Sequence, residues 1–178
     1  MKHWLAVIGS ALGLTASASP ATQPQDIAPS NVYLELRGQA LAQTQSSLRV
    51  SDNTIGVLME TGYPGAIATL IALVDGSASL YFSNGGGIIG AGQHQGPAAA
   101  ARSLVVTAAE NLSKFTPTTE FPLPTLGRTR FFVITAQGVL TAEAAEDDLG
   151  NNRLPLSPVF HAAHALIAEM RQVEERKQ

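Results

Sequence analysis

The chain has 178 residues, of which 45% are hydrophobic, 14% charged and 6% aromatic. This length suits one domain, and the apolar fraction is too high for a disordered tail. The chain has eleven basic and fourteen acidic residues, so its net charge is -3. The sequence contains no basic stripe of the kind that binds nucleic acids. There is no cysteine, which excludes disulfides, thiolate metal sites and a cysteine nucleophile.

The amino-terminal segment has the three parts of a secretory signal peptide. Lys2 and His3 supply a positive start, residues 4–14 form an apolar run, and Ala16-Ser17-Ala18 is a small-x-small cleavage site. The apolar run is too short to cross a bilayer as a helix, which needs about 20 residues. We predict a signal peptide over residues 1–18, a proline-rich linker over residues 19–29, and a periplasmic or secreted domain over residues 30–178.

The first predicted helix begins after the N-cap Ser30 and runs through Leu41. A predicted loop follows, in which the apolar stretch Ile55 to Met59 is a candidate for pairing with a sheet. The runs 69–74 and 77–82 are rich in strand formers and are separated by Asp75-Gly76, a dipeptide typical of a type I′ hairpin turn. That turn would place Leu73 beside Ala78 and Ile71 beside Leu80.

Three further elements follow along the chain. Residues 97–115 carry apolar side chains at spacings of three and four, which predicts an amphipathic helix with Pro97 in its first turn. Residues 128–146 predict a second hairpin that turns at Gln137-Gly138. The last helix is predicted to start at the N-cap Ser157 with Pro158 at the next position, and its buried stripe includes Val159, Ala163, Leu166, Met170 and Val173.

The predicted order is α-β-β-α-β-β-α, which indicates an α+β domain with an antiparallel sheet covered by helices. This order resembles that of profilin-like and roadblock-like domains over about residues 30–177. The resemblance implies a central sheet between helices and, for the roadblock-like case, a cytoplasmic dimeric regulator of small GTPases, a role that conflicts with the predicted signal peptide. The segments 79–90 and 140–150 are also similar to those of bacterial proteins without an assigned function.

The segment from Asn84 to Gly96 is the strongest candidate for a ligand site in the sequence, because it holds six of the sixteen glycines. Backbone amides in such a loop can approach a ligand closely, and the helix that follows would direct its positive dipole end toward an anion. A P-loop ending and a complete dinucleotide fingerprint are both missing. The alternatives are a structural turn and an anionic-ligand site formed by Asn84, Gly85, Gly86, Gly87, Gly90, Gly92, His94 and Gly96.

Two other groups of polar residues have structural and functional interpretations. Carboxylates at 143–148 could offer oxygens to calcium, but cross-strand ion pairs explain them without a metal. In the predicted register Arg128 opposes Asp147, and Arg130 lies diagonally from Glu143. His161 and His164 are three residues apart on the last helix and could share a metal or act as acid and base; the helical wheel instead makes them solvated or rim residues.

No nucleophile elbow, Ser-x-x-Lys or His-Glu-x-x-His motif is present, so the sequence offers no catalytic residues, no cofactor site and no metal site. We predict a non-catalytic, exported binding or assembly module that binds an unidentified protein partner or forms a homodimer through an open sheet edge or the last helix. One alternative is a small anionic-ligand protein or enzyme that uses residues 84–96, in which His94 is the histidine to test first. A second alternative is a cytoplasmic roadblock-like regulator.

Overall fold

The structure, a computed structural model, describes residues 28–176. The predicted signal peptide and all but the last two residues of the predicted linker lie outside this range. Two short 3₁₀ turns span Ala91–Gln93 and Leu112–Lys114. The helices and strands in chain order are α1 (Asn31–Leu41), α2 (Gln45–Leu48), β1 (Thr54–Tyr63), β2 (Ala66–Leu73), β3 (Ala78–Phe82), β4 (Gly87–Ile88), α3 (Gln95–Glu110), β5 (Thr116–Thr118), β6 (Arg128–Thr135), β7 (Gly138–Ala145), α4 (Glu146–Gly150) and α5 (Ser157–Glu175).

All seven strands form one antiparallel sheet in the order β4-β3-β2-β1-β6-β7-β5. The α+β class and the antiparallel sheet are confirmed. The predicted order α-β-β-α-β-β-α is wrong, because it omits β1, the edge strands β4 and β5, and the short helices α2 and α4. Among residues 28–176, no helix is both long and apolar enough to cross a membrane.

The largest omission is β1, a ten-residue strand that pairs with β2 on one side and with β6 on the other. Gly56, Glu60 and Gly62 interrupt its apolar residues, so the alternation that marks a half-buried strand is lost. Position 62 has space only for glycine, because a Cβ there would collide with the carbonyl of Thr125. The sequence therefore revealed only its Ile55 to Met59 portion.

The first predicted hairpin forms from β2 and β3, but its register is shifted by one residue. The observed pairs are Leu70 with Leu80 and Ala72 with Ala78, not Leu73 with Ala78. The connection between β2 and β3 has four residues, 74–77, with Gly76 at φ 96°. Val74 does not extend the hairpin, because its N–H donates to the carbonyl oxygen of Ile55 on β1 at 2.9 Å. A tertiary contact thus replaces the predicted two-residue turn.

The second hairpin also turns one residue earlier than predicted. Thr135 pairs directly with Gly138, so the turn is Ala136-Gln137. The Thr135 hydroxyl stabilises this turn: its Oγ1 donates to the Gly138 carbonyl oxygen at 2.8 Å and accepts from the Gln137 N–H at 3.2 Å. In this register Arg128 lies opposite Ala145, so the predicted pairing of Arg128 with Asp147 is wrong.

The helix boundaries follow local capping and packing. Ser30 is confirmed as the N-cap of α1, because its Oγ accepts a hydrogen bond from the Tyr33 N–H at 3.3 Å. Pro97 lies in the first turn of α3, as predicted. At α5 the prediction is wrong by one position: Ser157 is the first helical residue rather than the N-cap, which is Leu156. The predicted stripe of α5 is buried.

Alternate residues of the sheet enter two separate cores. One face packs against α3 and α5, whose buried stripes meet the strands at Val57, Met59, Leu70, Leu80, Phe131 and Val133. The opposite face packs against α1, where Tyr33 and Ala40 contact the side chains of Ile55, Leu58, Ile71, Phe132 and Ile134. The helices thus cover both faces of one sheet, as expected for this class.

Candidate functional site

The first half of the glycine-rich segment is a tight turn between β3 and β4. Gly85 donates its N–H to the Phe82 carbonyl oxygen at 3.0 Å, and the Phe82 N–H donates back to the Gly86 carbonyl oxygen at 3.2 Å. Asn84, Gly85 and Gly86 are exposed at the tip of this turn. Gly87 pairs with Tyr81 in the sheet, and a Cβ at Gly87 would collide with the Leu80 carbonyl. Gly85 and Gly86 adopt φ angles of 108° and 80°, which favour glycine, whereas Gly87 has no space for a side chain.

The second half of the segment connects β4 to α3. Gly90 adopts φ 71° at the start of a 3₁₀ turn, and Gly92 packs so closely against the Gly76 carbonyl that a Cβ would collide with it. His94 is exposed at the N-cap position of α3 and makes no side-chain capping bond. The predicted site residues are thus divided between a hairpin tip and a helix start.

The start of α3 faces an acidic side chain. A Cβ on Gly96 would collide with Oε2 of Glu169 from α5, so this carboxylate lies against the first turn of α3. Helix N-termini attract negative charge, and Glu169 supplies one from within the protein. A polar cavity of about 530 Å³ adjoins this contact and is lined by His94, Gln95, Gly96, Pro97, Glu169, Gln172, Val173 and Arg176. Binding of an external anion here stays a prediction.

The predicted calcium-type carboxylates are engaged by cationic or hydroxyl partners. Glu143 lies directly opposite Arg130 on β6 and forms ion pairs with both Arg130 and Arg128, the latter at 3.0 Å. Asp147 and Asp148 bind Arg153 at 3.0 Å and 3.1 Å. Within the described range, no group of three or more His, Asp or Glu side chains is placed to hold a metal ion.

Arg37 and Glu60 form a second polar cluster beneath α1. Glu60 is fully buried and accepts two hydrogen bonds from Arg37 and one from Thr69. Because the Thr69 hydroxyl proton is directed at Glu60, the Tyr33 hydroxyl donates to Thr69 Oγ1 at 2.8 Å. Burial, with Glu60 next in importance, raises the pKa of Tyr33 to about 12. Every polar group named here has a partner inside the protein, which is the pattern of a structural network.

The two histidines of α5 differ in environment. His161 is exposed and its Nε2 hydrogen-bonds to Asn152 Oδ1 at 2.9 Å. His164 is half-buried, with its ring centroid 4.3 Å from that of Phe160. Its Nε2 is buried and has no hydrogen-bond partner among residues 28–176. Burial lowers the pKa of His164, which keeps its imidazole neutral at pH 7.

His164 lies in a cavity of about 400 Å³ between α5 and the sheet, which we term the α5 groove. Its apolar lining comes from both layers: Ala68, Leu80, Phe82, Ile167 and Ala168. Its polar lining consists of Tyr63, His164, Arg171, Gln172 and Glu175. A concave, mainly apolar surface with a few converging polar groups is the usual form of a small-molecule site.

Tyr63 links the α5 groove to α4. Its hydroxyl donates to Oε1 of Glu146 at 2.7 Å, so the two residues join the end of β1 to the first turn of α4. Burial raises the pKa of Tyr63 to about 12, with the Glu146 carboxylate as the next cause. The Glu146 carboxylate also raises the pKa of His164, which opposes the larger effect of burial. These three residues come from β1, α4 and α5.

Arg171 and Glu175 lie one helical turn apart on the exposed side of the α5 groove. An arginine placed four residues before a glutamate has the less favourable orientation for an ion pair on a helix. Neither residue takes part in an ion pair within 4.0 Å in the described part of the chain. The α5 groove therefore presents one positive and one negative group to solvent.

The α5 groove was not predicted from the sequence. Tyr63 was assigned to a loop, because β1 was not recognised, and His164 was placed only at the margin of the buried stripe. A signal for the site was nevertheless present: Phe160, His164, Ile167 and Arg171 recur at spacings of three and four on α5, beside the stripe that packs into the core.

Comparison of the chain with protein-family models, curated protein sequences and solved structures finds no match.

Proposed function

We propose that this chain is an exported, non-catalytic binding module and that its binding site is the α5 groove. The observation that carries the proposal is that His164 lines an open cavity while its buried Nε2 has no hydrogen-bond partner in the described residues. Buried polar atoms without a partner are rare in folded proteins, and a bound molecule or an ordered water is the usual explanation. A ligand in the α5 groove would supply the missing partner once the imidazole turns its Nε2 toward the groove.

Two features of the groove support binding rather than chemistry. In the part of the chain that the structure describes, the Nε2 of its only histidine, His164, has no hydrogen-bond partner that could orient the ring as a general base. Tyr63, the one hydroxyl in the lining, has its proton directed at Glu146 and a raised pKa, so it is a poor nucleophile at neutral pH. The groove is thus better suited to hold a ligand than to transform one.

The finer description of the fold belongs to the same proposal. The central antiparallel sheet, with one long helix on one face and two on the other, supports a profilin-like or roadblock-like arrangement in outline. Export rests on the sequence of residues 1–18, and it makes a cytoplasmic roadblock-like role the less favoured alternative. Mass spectrometry of the mature amino terminus in the exported fraction tests this part: cleavage after Ala18 supports export, and an intact Met1 in the cytoplasmic fraction contradicts it.

The binding function is tested by titrating the ¹⁵N-labelled full-length chain with small branched alkyl fragments that are neutral, acidic, basic or zwitterionic. Saturable amide shifts at Tyr63, His164 and Ile167 are expected for at least one charge type. Shifts confined to His94 and Gly96 would instead support the anion site at the start of α3. Turnover of a fragment, or no saturable shift along α5 with any charge type, would contradict the proposed function.

A further inference from the structure

We infer that the ligand of the α5 groove is a zwitterion with a small apolar side chain, such as a free aliphatic amino acid. This inference rests on the proposed function of the groove. Three observations point to it: an apolar lining that both α5 and the sheet supply, an arginine and a glutamate at the exposed rim, and the half-buried imidazole of His164 in the same lining, whose Nε2 has no partner in the described residues.

The apolar part of the lining sets the size of the ligand. Leu80 and Phe82 project from β3, and Ile167 projects from α5, so an aliphatic side chain could contact both layers of the fold. Each buried methylene would contribute to affinity through the hydrophobic effect. The volume of about 400 Å³ lies at the small end of the usual range for ligand sites, which favours a ligand of few atoms.

The charged part of the rim sets the chemistry of the polar end. A ligand with only a carboxylate would meet Arg171 but would also face Glu175 and the nearby Glu146. A ligand with only an amine would place its charge beside Arg171. A zwitterion avoids both conflicts, because its carboxylate can contact Arg171 while its ammonium contacts Glu175.

The two rim charges are available for this role because they do not neutralise each other. They lie in the less favourable order along α5, and they form no ion pair within 4.0 Å in the described residues. The neutral His164 adds one hydrogen-bonding nitrogen that is buried at the groove and unpartnered in residues 28–176. It can accept a hydrogen bond from an ammonium or donate one to a carboxylate, according to its tautomer.

The test compares L-leucine with two molecules that each keep its side chain and one of its charges. 4-Methylpentanoate lacks the ammonium group, and 3-methylbutylamine lacks the carboxylate. Amide shifts in the full-length chain are expected to give leucine an affinity about fivefold or more above that of each half-molecule, which is the value of one modest ionic contact. Leucine binding no tighter than either half-molecule would overturn the inference.

Variants of the rim separate the two contacts. Arg171→Gln is expected to remove the advantage of leucine over 3-methylbutylamine, and Glu175→Gln its advantage over 4-methylpentanoate. The matched control is Arg176→Gln, which changes an arginine that lines the cavity at the start of α3 rather than the α5 groove. Equal losses in Arg171→Gln and Arg176→Gln would indicate general electrostatics and contradict the assigned contact.

The outcomes distinguish the inference from the proposed function. If neutral or singly charged fragments bind along α5 as tightly as leucine, the zwitterion assignment is wrong while the groove remains a binding site. If none of the probes shifts the amides of α5, both proposals fail. Folding of each variant is checked by its amide spectrum, and since Arg171 and Glu175 are exposed, their substitution is not expected to disturb the core.

Discussion

Arg37 of α1 and Glu60 of β1 form a two-point ion pair in the interior of the protein, with Nε 2.6 Å from Oε1 and Nη2 2.8 Å from Oε2. The Arg37 guanidinium carbon also lies 5.4 Å from the centroid of the Phe132 ring. Glu60 is fully buried in the central strand, so its charge depends on this partner. The pair therefore joins α1 to the central strand of the sheet, in addition to the apolar cluster that contains Tyr33 and Ala40.

We expect Arg37→Met to lower the free energy of unfolding by about 3 kcal/mol or more, because it leaves the buried Glu60 carboxylate without its cation. The double variant Arg37→Met/Glu60→Gln should recover much of this loss, since no unpaired charge is then buried. Urea denaturation measures both. The control is Arg153→Met, whose ion pairs with Asp147 and Asp148 are exposed and whose unfolding midpoint should not change. Equal effects at both arginines would contradict the structural role of Arg37.

We expect the protein to lose stability at alkaline pH as the hydroxyl of Tyr33 ionises. The folded protein raises the pKa of Tyr33 to about 12, against about 10 in an unfolded chain. The neutral phenol is thus favoured by folding, so its contribution is complete below pH of about 10 and is lost as the pH rises through about 12. Tyr33→Phe should flatten this part of the stability profile and cost about 1 kcal/mol at neutral pH through the lost bond to Thr69.

Tyr63→Phe provides the comparison for Tyr33, because its pKa is also raised to about 12. Each single variant should remove part of the alkaline loss, and the double variant should remove more than either. Denaturation midpoints recorded between neutral pH and pH of about 12 test this. An unchanged alkaline slope in the double variant would show that neither tyrosine is held as the neutral phenol.

We expect the protein to lose stability on mild acidification because of His164. Its pKa is lowered in the folded state by burial, against about 6.5 in an unfolded chain. The contribution of the neutral ring is present above pH of about 6.5 and is lost as the pH falls toward the lowered folded-state value, because the unfolded chain takes up the proton first.

The substitution His164→Gln should reduce this slope, and His161→Gln is the matched control. His161 is exposed and hydrogen-bonded to Asn152, so its substitution should change the stability less than that of His164, whose Nε2 is buried. Denaturation midpoints across this range provide the measurement. A larger effect of His161→Gln than of His164→Gln would contradict the assignment of this pH dependence to His164.

Two glycine substitutions should have opposite signs. Gly38 is exposed in the middle of α1 with open space where a Cβ would lie, so Gly38→Ala should stabilise the protein by about 0.5–1 kcal/mol. Gly92 packs against the Gly76 carbonyl, so Gly92→Ala should destabilise it by about 1–3 kcal/mol. Thermal denaturation distinguishes the two. A neutral Gly92→Ala would mean that this glycine is not needed for packing, which would favour the ligand-site interpretation of residues 84–96.

Sequence patterns predicted the elements whose signals are local. The buried stripes of α3 and α5 follow from apolar residues three and four positions apart, and the cap of α1 follows from Ser30. Both hairpins were predicted in the right place. Their registers were wrong because contacts outside the turn dipeptides decide them: the Val74 N–H binds Ile55 on another strand, and the Thr135 hydroxyl closes the second turn.

The α5 groove shows the same division between local and tertiary information. Composition and periodicity by themselves determined an α+β chain with two amphipathic helices and no catalytic motif. Only the tertiary structure decided that Tyr63, which is bonded to Glu146, and His164 line the same groove beside α5, because they are far apart in the sequence and come from different elements. The same is true of Glu60, whose charge in a central strand is tolerated only because α1 places Arg37 above it. A local pattern can show which face of an element is buried, but not which residues from other elements will meet it there.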